Sequence, residues 1–221
     1  MIHPNKHLVN VYIHNKHPFT DEYGLHKYCI PAIQTKYAHK SIIEATLVLF
    51  KYALQDPENE YFMLLSDTCI PLFSMETIHA KLAIHSSIMT NYASVCCSTR
   101  FNHVDQTFFE GFKKQSQWLM LNRSTARFFV EHSFTHLYKD SFPAPDEHYF
   151  NNLCDKFNLP YVNQRLTHVN WQEPSDPPHR VHPKTYDVLT NEMIEAIQKT
   201  GCLFVRKVSR TCILPSYFDT I

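Results

Sequence analysis

Short apolar runs alternate along this chain with segments whose apolar residues recur every three or four positions, a pattern that predicts strands interleaved with helices. Val9-Asn10-Val11-Tyr12-Ile13-His14 alternates apolar with polar and predicts a strand, closed by the turn-prone Asn15-Lys16-His17-Pro18. Residues 41–54 put Ile43, Leu47, Phe50 and Leu54 on one helical face, and Ser41 with Glu44 has the spacing of a capping box. The apolar run 61–65 between polar flanks predicts a strand covered on both faces, which completes a β-α-β unit. Further helices are predicted over 75–84, from a cap at Ser124 to Glu131, over 145–157, and from a cap at Thr190 to Gly201. Further strands are predicted over 93–97, 117–121 and 202–205, the last running into Arg206-Lys207. The Pro-, His- and Asp-rich stretch 173–183 reads as an exposed loop. The alternation predicts one α/β domain over 1–221, an α/β/α sandwich on a mostly parallel sheet, with ligands beyond the carboxyl ends of the strands.

Composition narrows the picture. With 44% hydrophobic and 14% aromatic residues in a 221-residue chain, there is enough apolar material for one substantial core or two halves sharing one. Lys plus Arg equals Asp plus Glu at 21 each, so no global positive field exists to hold a nucleic-acid backbone. No run approaches the roughly 18 apolar residues of a membrane span, and Met1-Ile2-His3-Pro4-Asn5-Lys6 is not a signal peptide, so the chain is expected to be soluble. Seven cysteines, an odd number lying mostly in apolar runs, read as free buried thiols. Fifteen histidines suggest a metal protein on composition alone.

The motifs that are missing carry as much weight. Three glycines exclude a Gly-x-Gly-x-x-Gly or Walker loop, and no Cys-x-x-Cys, His-Glu-x-x-His or Gly-x-Ser-x-Gly occurs. There is no Asp-x-Asp pair to hold a divalent ion against a diphosphate, so lysine and arginine must neutralise any diphosphate bound here. His182-Pro183-Lys184 and Arg206-Lys207 qualify, although spacing alone also fits solvated surface charge. Asp146-Glu147 after Pro145 offers a general base, or simply complements a helix dipole. Trp118, Trp171, Tyr37 and Tyr149 either stack on a base or sugar or fill the core, and His14, His168 and His182 read as structural or solvent-facing.

Taken together, Tyr12-Ile13-His14, Lys36-Tyr37-Ala38-His39-Lys40-Ser41, Leu64-Leu65-Ser66-Asp67-Thr68-Cys69-Ile70-Pro71-Leu72, Ser116-Gln117-Trp118, Pro145-Asp146-Glu147-His148-Tyr149-Phe150, His168-Val169-Asn170-Trp171, His182-Pro183-Lys184-Thr185-Tyr186 and Leu203-Phe204-Val205-Arg206-Lys207 resemble the ordered motif series of the core-2/I-branching glycosyltransferase family. The likeness is closer to the plant branch than to the animal mucin-type enzymes. It implies a GT-A-like fold, a donor half over 1–100 and an acceptor and catalytic half over 101–221. It also implies inverting, metal-independent transfer of a sugar, N-acetylglucosamine first, from a UDP donor to a carbohydrate or other hydroxyl acceptor.

Carried over by motif, Glu147 matches the family's catalytic base, Lys207 the lysine on the diphosphate, and Lys184 the place of a second, arginine contact in animal relatives. Arg206 joins the diphosphate set, His14 and Tyr37 fall near the nucleoside, and Trp171 and Trp118 on the acceptor side. Two departures stand out. Asn15-Lys16 replaces the acidic residue that commonly follows the Ile-His strand end, and set against the family the first motif is expected to be what is usually the second strand, with the first strand, stem and anchor of Golgi relatives expected to be absent. The expected alternative is therefore a relative that binds nucleotide or glycan without turnover.

Overall fold

A computed structural model of the chain describes residues 8–17, 21, 24–83, 86–92, 102–105, 107–109, 111–175, 178 and 182–216. In chain order the helices and strands are α1 (Ser41–Ala53), β1 (Tyr61–Met63), β2 (Ile70–Pro71), α2 (Met75–Leu82), β3 (Ile88–Met89), β4 (Asn91–Tyr92), β5 (Lys114–Gln115) and β6 (Met120–Asn122). They continue with α3 (Arg123–Glu131), α4 (Tyr149–Lys156), β7 (Val162–Asn163), β8 (Thr167–Val169), β9 (Tyr186–Val188), α5 (Asn191–Gln198), β10 (Phe204–Arg206) and β11 (Val208–Ile213).

The α/β alternation holds, but the mostly parallel sheet does not: the strands form several small mixed sheets. One runs β1-β6-β3-β7, with β6 antiparallel to both β1 and β3 and β7 parallel to β3. A second runs β2-β10-β8, where β10 is antiparallel to β2 and parallel to β8. Two pairs, β4 with β5 and β9 with β11, complete the set among the described residues. An apolar run says nothing about strand direction, and the β-α-β expectation around β1 fails because β1 pairs antiparallel with β6 while Ile13 bridges Cys29 instead.

Local chemistry explains most boundaries. The hydroxyls of Ser74 and Thr190 and the side-chain carbonyl of Asn122 accept N–H bonds at the starts of α2, α5 and α3. Asn122, not Ser124, is therefore the cap of α3; the Ser124 hydroxyl donates to Asn122 Oδ1 at 3.0 Å. The expected capping box at α1 does not form, because Ser41 Oγ accepts the Lys36 N–H (2.9 Å) and lies 3.1 Å from His39 Nδ1. The expected strand over 9–14 reduces to one parallel bridge, Ile13 to Cys29. The helix expected over 145–157 divides into a 3-10 turn, Pro145–Glu147, and α4, separated at His148. The strand expected over 93–97, with Cys96 and Cys97, and the helix end at Ile84 lie outside the described residues.

The largest core cluster packs α1, α3 and α4 through Ile43, Phe50, Phe129, Tyr149 and Phe150. Its rings meet edge-on, Phe129 on Phe150 at 5.0 Å and Tyr149 on Phe150 at 4.9 Å, a geometry that adds roughly 0.5–1.5 kcal/mol per pair to the burial itself. A second cluster, including Leu72, Tyr186, Ile194 and Val205, lies under α5, and a third joins α2 to β3, β6 and β10. Cys154 and Cys202 are free and buried. No helix among the described residues is long and apolar enough to cross a membrane.

Candidate active site

Glu147 stands on the 3-10 turn, which is entered from Ala144 at φ 52°. The Ala144 N–H donates to the Ala38 carbonyl at 3.0 Å, and Ala38 also has φ 52°. Left-handed backbone costs a non-glycine residue roughly 1–2 kcal/mol, so two strained alanines dock the Tyr37 loop against the Glu147 turn. Lys40 Nζ to Asp140 at 2.7 Å supplies a second tie between the same segments, and that lysine holds the Asp140 carboxyl below its usual range.

A buried polar frame surrounds the turn. Lys113 N–H donates to Asn152 Oδ1 (2.8 Å), and Asn152 Nδ2 donates back to the carbonyls of Lys113 (2.8 Å) and His148 (2.6 Å). His148 Nδ1 lies 2.9 Å from the Lys113 carbonyl, which assigns its hydrogen to Nδ1, and its ring stacks on Phe112 at 4.8 Å. Asn151 N–H donates to Gln115 Oε1 at 2.6 Å. Gln115, His148, Asn151 and Asn152 are all buried, where an unmade bond costs about 1–3 kcal/mol, so this network fixes the turn. Between Lys113 and Gln115, Lys114 Nζ reaches Glu147 Oε2 at 3.0 Å.

The backbones of the basic residues meet at the carboxyl ends of β8 and β10. These strands run parallel with Val169 opposite Arg206. Lys184 N–H donates to the Asn170 carbonyl (2.9 Å), and Tyr186 N–H to the Lys207 carbonyl (2.8 Å), so the backbones of Asn170, Lys184 and Lys207 lie side by side. Strand ends of this kind are where α/β sheets hold ligands. The Lys184 ammonium pairs with Glu173, which raises its pKa, and lies 5.6 Å from the Tyr186 ring centre. The Lys207 ammonium has no hydrogen bond or ion pair among the described residues. His168 Nε2 lies 3.3 Å from the Tyr186 hydroxyl, and burial, helped by Arg165, lowers its pKa.

Arg206, placed in the diphosphate set by the resemblance, packs against an aromatic ring. Its guanidinium lies over the Trp118 ring at 4.5 Å, and Nε donates to Ser66 Oγ at 3.2 Å. Burial pulls its pKa below the ordinary arginine value, with Cys69 and Asp67 opposing. Trp118, expected beside an acceptor, is only 8% exposed; it leads into Leu119-Met120-Leu121, and that apolar run carries it inward. The Val208 N–H bond to the Thr68 carbonyl (3.0 Å) draws the Ser66 loop to the same place.

Contacts and short stretches of chain link the sequence-selected residues in one series, an arc of connections rather than a single cavity. His14 Nε2 accepts the Ile33 N–H at 3.0 Å just ahead of the Tyr37 loop; that loop docks on the Glu147 turn, and Lys114 pairs with Glu147. Four residues later Trp118 receives Arg206, and Lys207, Lys184 and Trp171 follow. Four residues of chain span at most about 14 Å, which limits the separation of the carboxylate anchor from the Arg206 stack. Tyr37 (80% exposed) and Trp171 (47% exposed) offer open ring faces. Two grooves lie off the arc, one of about 420 Å³ lined by Tyr12, Tyr28 and Tyr52, the other of about 400 Å³ lined by Lys113, Asn152 and Asp155 behind the frame. No cluster of three His, Cys, Asp or Glu residues suited to a metal occurs among the described residues. Lys114, Glu173 and the Asn151-Asn152 pair escape sequence reasoning; the one usable signal is two adjacent asparagines inside an apolar helix, a placement asparagine takes up to bond backbone.

This is a mixed α/β protein whose turn carboxylate and strand-end lysines are joined by one short segment. The chain belongs to the core-2/I-branching enzyme family, whose model matches residues 2–198. It is also similar to Glycosyltransferase BC10 of Oryza sativa subsp. japonica, with 25% identity over 214 residues, covering 81% of this chain and 54% of that protein. The chain thus spans about half the length of the curated relative it matches.

Proposed function

We propose that this chain is an inverting, metal-independent glycosyltransferase with a GT-A-like core that moves a sugar, N-acetylglucosamine first, from a UDP donor to a carbohydrate hydroxyl. In this reading the Glu147 carboxylate takes the acceptor proton as the hydroxyl oxygen attacks the anomeric carbon from the face opposite the diphosphate. The new C–O bond forms as the bond to UDP breaks, and Lys207 and Lys184 balance the charge on the leaving diphosphate. Tyr37 stacks near the nucleoside and Trp171 against the acceptor. Arg206 and Trp118 act behind them as a strut.

The observation that carries the reading is the arc itself: a fixed carboxylate at one end, adjacent lysine backbones at the other, and a single short segment between them. UDP release with candidate donors and acceptors tests it. Glu147→Gln is expected to lower kcat by about 100-fold or more, the usual worth of a general base, and equal turnover in both proteins sinks it. A second reading, a protein that binds nucleotide or glycan without transfer, draws support from the Lys184 ammonium being held by Glu173. Calorimetry that finds UDP binding, beside no UDP release across a broad acceptor panel, decides for it.

A further inference from the structure

We infer that Lys114 is the positioning residue of Glu147, holding its carboxylate in the orientation that receives the acceptor proton; this rests on the assignment of Glu147 as the base. The ammonium lies 3.0 Å from Glu147 Oε2, and the two side chains are only 29% and 31% exposed, so the pair is screened less than one on open surface. A glutamate on a surface turn otherwise samples several rotamers, and catalysis needs one.

The backbone around Lys114 is built for this purpose. Both neighbours are tied to residues that follow Glu147: Lys113 to His148 and Asn152, and Gln115 to Asn151. Lys113 sends its own ammonium to Asp155 at 2.7 Å, while Lys114, next along the strand, turns to Glu147. The ammonium and carboxylate thus hang from one rigid frame, and their separation does not depend on loop motion. Holding a reacting group within a fraction of an ångström is worth up to about 100-fold in rate, and a contact made before substrate arrives leaves donor binding untouched.

Steady-state transfer by Lys114→Gln, Lys114→Arg and Glu147→Gln tests this, with UDP release as the readout. Lys114→Gln is expected to lower kcat between about tenfold and 100-fold while the donor KM stays within about twofold, and Lys114→Arg to recover most of the loss. An unchanged kcat in Lys114→Gln, a loss that falls on donor KM, or one that arginine leaves unrepaired overturns the inference. Wild-type turnover in Glu147→Gln removes the base assignment itself, whatever Lys114 does.

Discussion

The two ends of the arc are built on opposite plans. Around Glu147 the backbones of Lys113, His148 and Asn151 are bonded into a frame of buried Asn151, Asn152, His148 and Gln115 side chains, resting on the aromatic core of α1, α3 and α4. Around Lys184 and Lys207 the backbones are registered but the ammonium groups are half-exposed, one held by Glu173 and the other without a partner among the described residues. A proton acceptor must be fixed before reaction, whereas a diphosphate that binds and leaves is served by cations able to exchange partners. Substitutions in the buried frame of the first end should therefore register as stability, and those of the cations at the second as affinity and salt dependence.

The largest break in this comparison is expected from Asn152→Leu. It removes the buried acceptor of the Lys113 N–H and one donor to each of two carbonyls, at a cost of about 3–4 kcal/mol in denaturant unfolding. A loss under 1 kcal/mol would show that the frame is not what holds the turn.

Alkaline pH probes the same end more gently. Burial pushes the Tyr149 hydroxyl up to about 12, raises Tyr138 well above its ordinary value, and raises the Cys154 thiol on the same helix. A raised folded pKa means that the unfolded chain gives up protons the native state retains, so this contribution to stability is intact below about pH 8, starts to fall near pH 9 where the unfolded thiol ionises, and falls further as the unfolded tyrosines ionise above pH 10. Tyr149 alone accounts for roughly 2 kcal/mol by pH 12. Unfolding midpoints measured from pH 8 to 11 should hold steady and then fall, and a flat profile removes the claim.

How much of this was legible in the sequence divides along the same line. The helices over α1, α2, α3 and α5, and the strand that delivers Arg206-Lys207, follow from periodicity, and α5 also from its Thr190 cap, because those signals are local. Strand direction was not legible: β1, β3 and β6 are short apolar runs, and antiparallel pairing is settled by contacts between residues far apart in sequence. Glu147, Lys184 and Lys207 are proposed through motif order. Lys114 is not, since a lysine on a two-residue strand carries no mark of its partner. Arg206 and Trp118 were each assigned to a ligand because nothing in the sequence says that they face each other.

At the cationic end, Lys207→Met is expected to weaken UDP binding about tenfold, about 1.4 kcal/mol, and to flatten its salt dependence while leaving the unfolding midpoint within about 0.5 kcal/mol. Calorimetry at two salt concentrations separates this from a folding defect. The Arg206 stack sits between the two plans. A double-mutant cycle of Arg206→Lys and Trp118→Phe should return a coupling of about 1 kcal/mol in stability, which additivity would rule out.

The smallest effect belongs to Glu173. Its carboxylate is bound to the Lys184 ammonium, so in the proposed reaction it competes with the donor for that cation. The pair is largely exposed, and such pairs are worth little in water, so the competition is weak. Glu173→Gln should tighten UDP binding by about twofold at low salt, with the advantage vanishing as salt rises, because screening weakens the exposed internal pair and the external one alike. A weaker affinity in Glu173→Gln would mean that the carboxylate orients Lys184 toward the donor instead of restraining it. The cationic end would then follow the same plan as Glu147, and the contrast between the two ends would disappear.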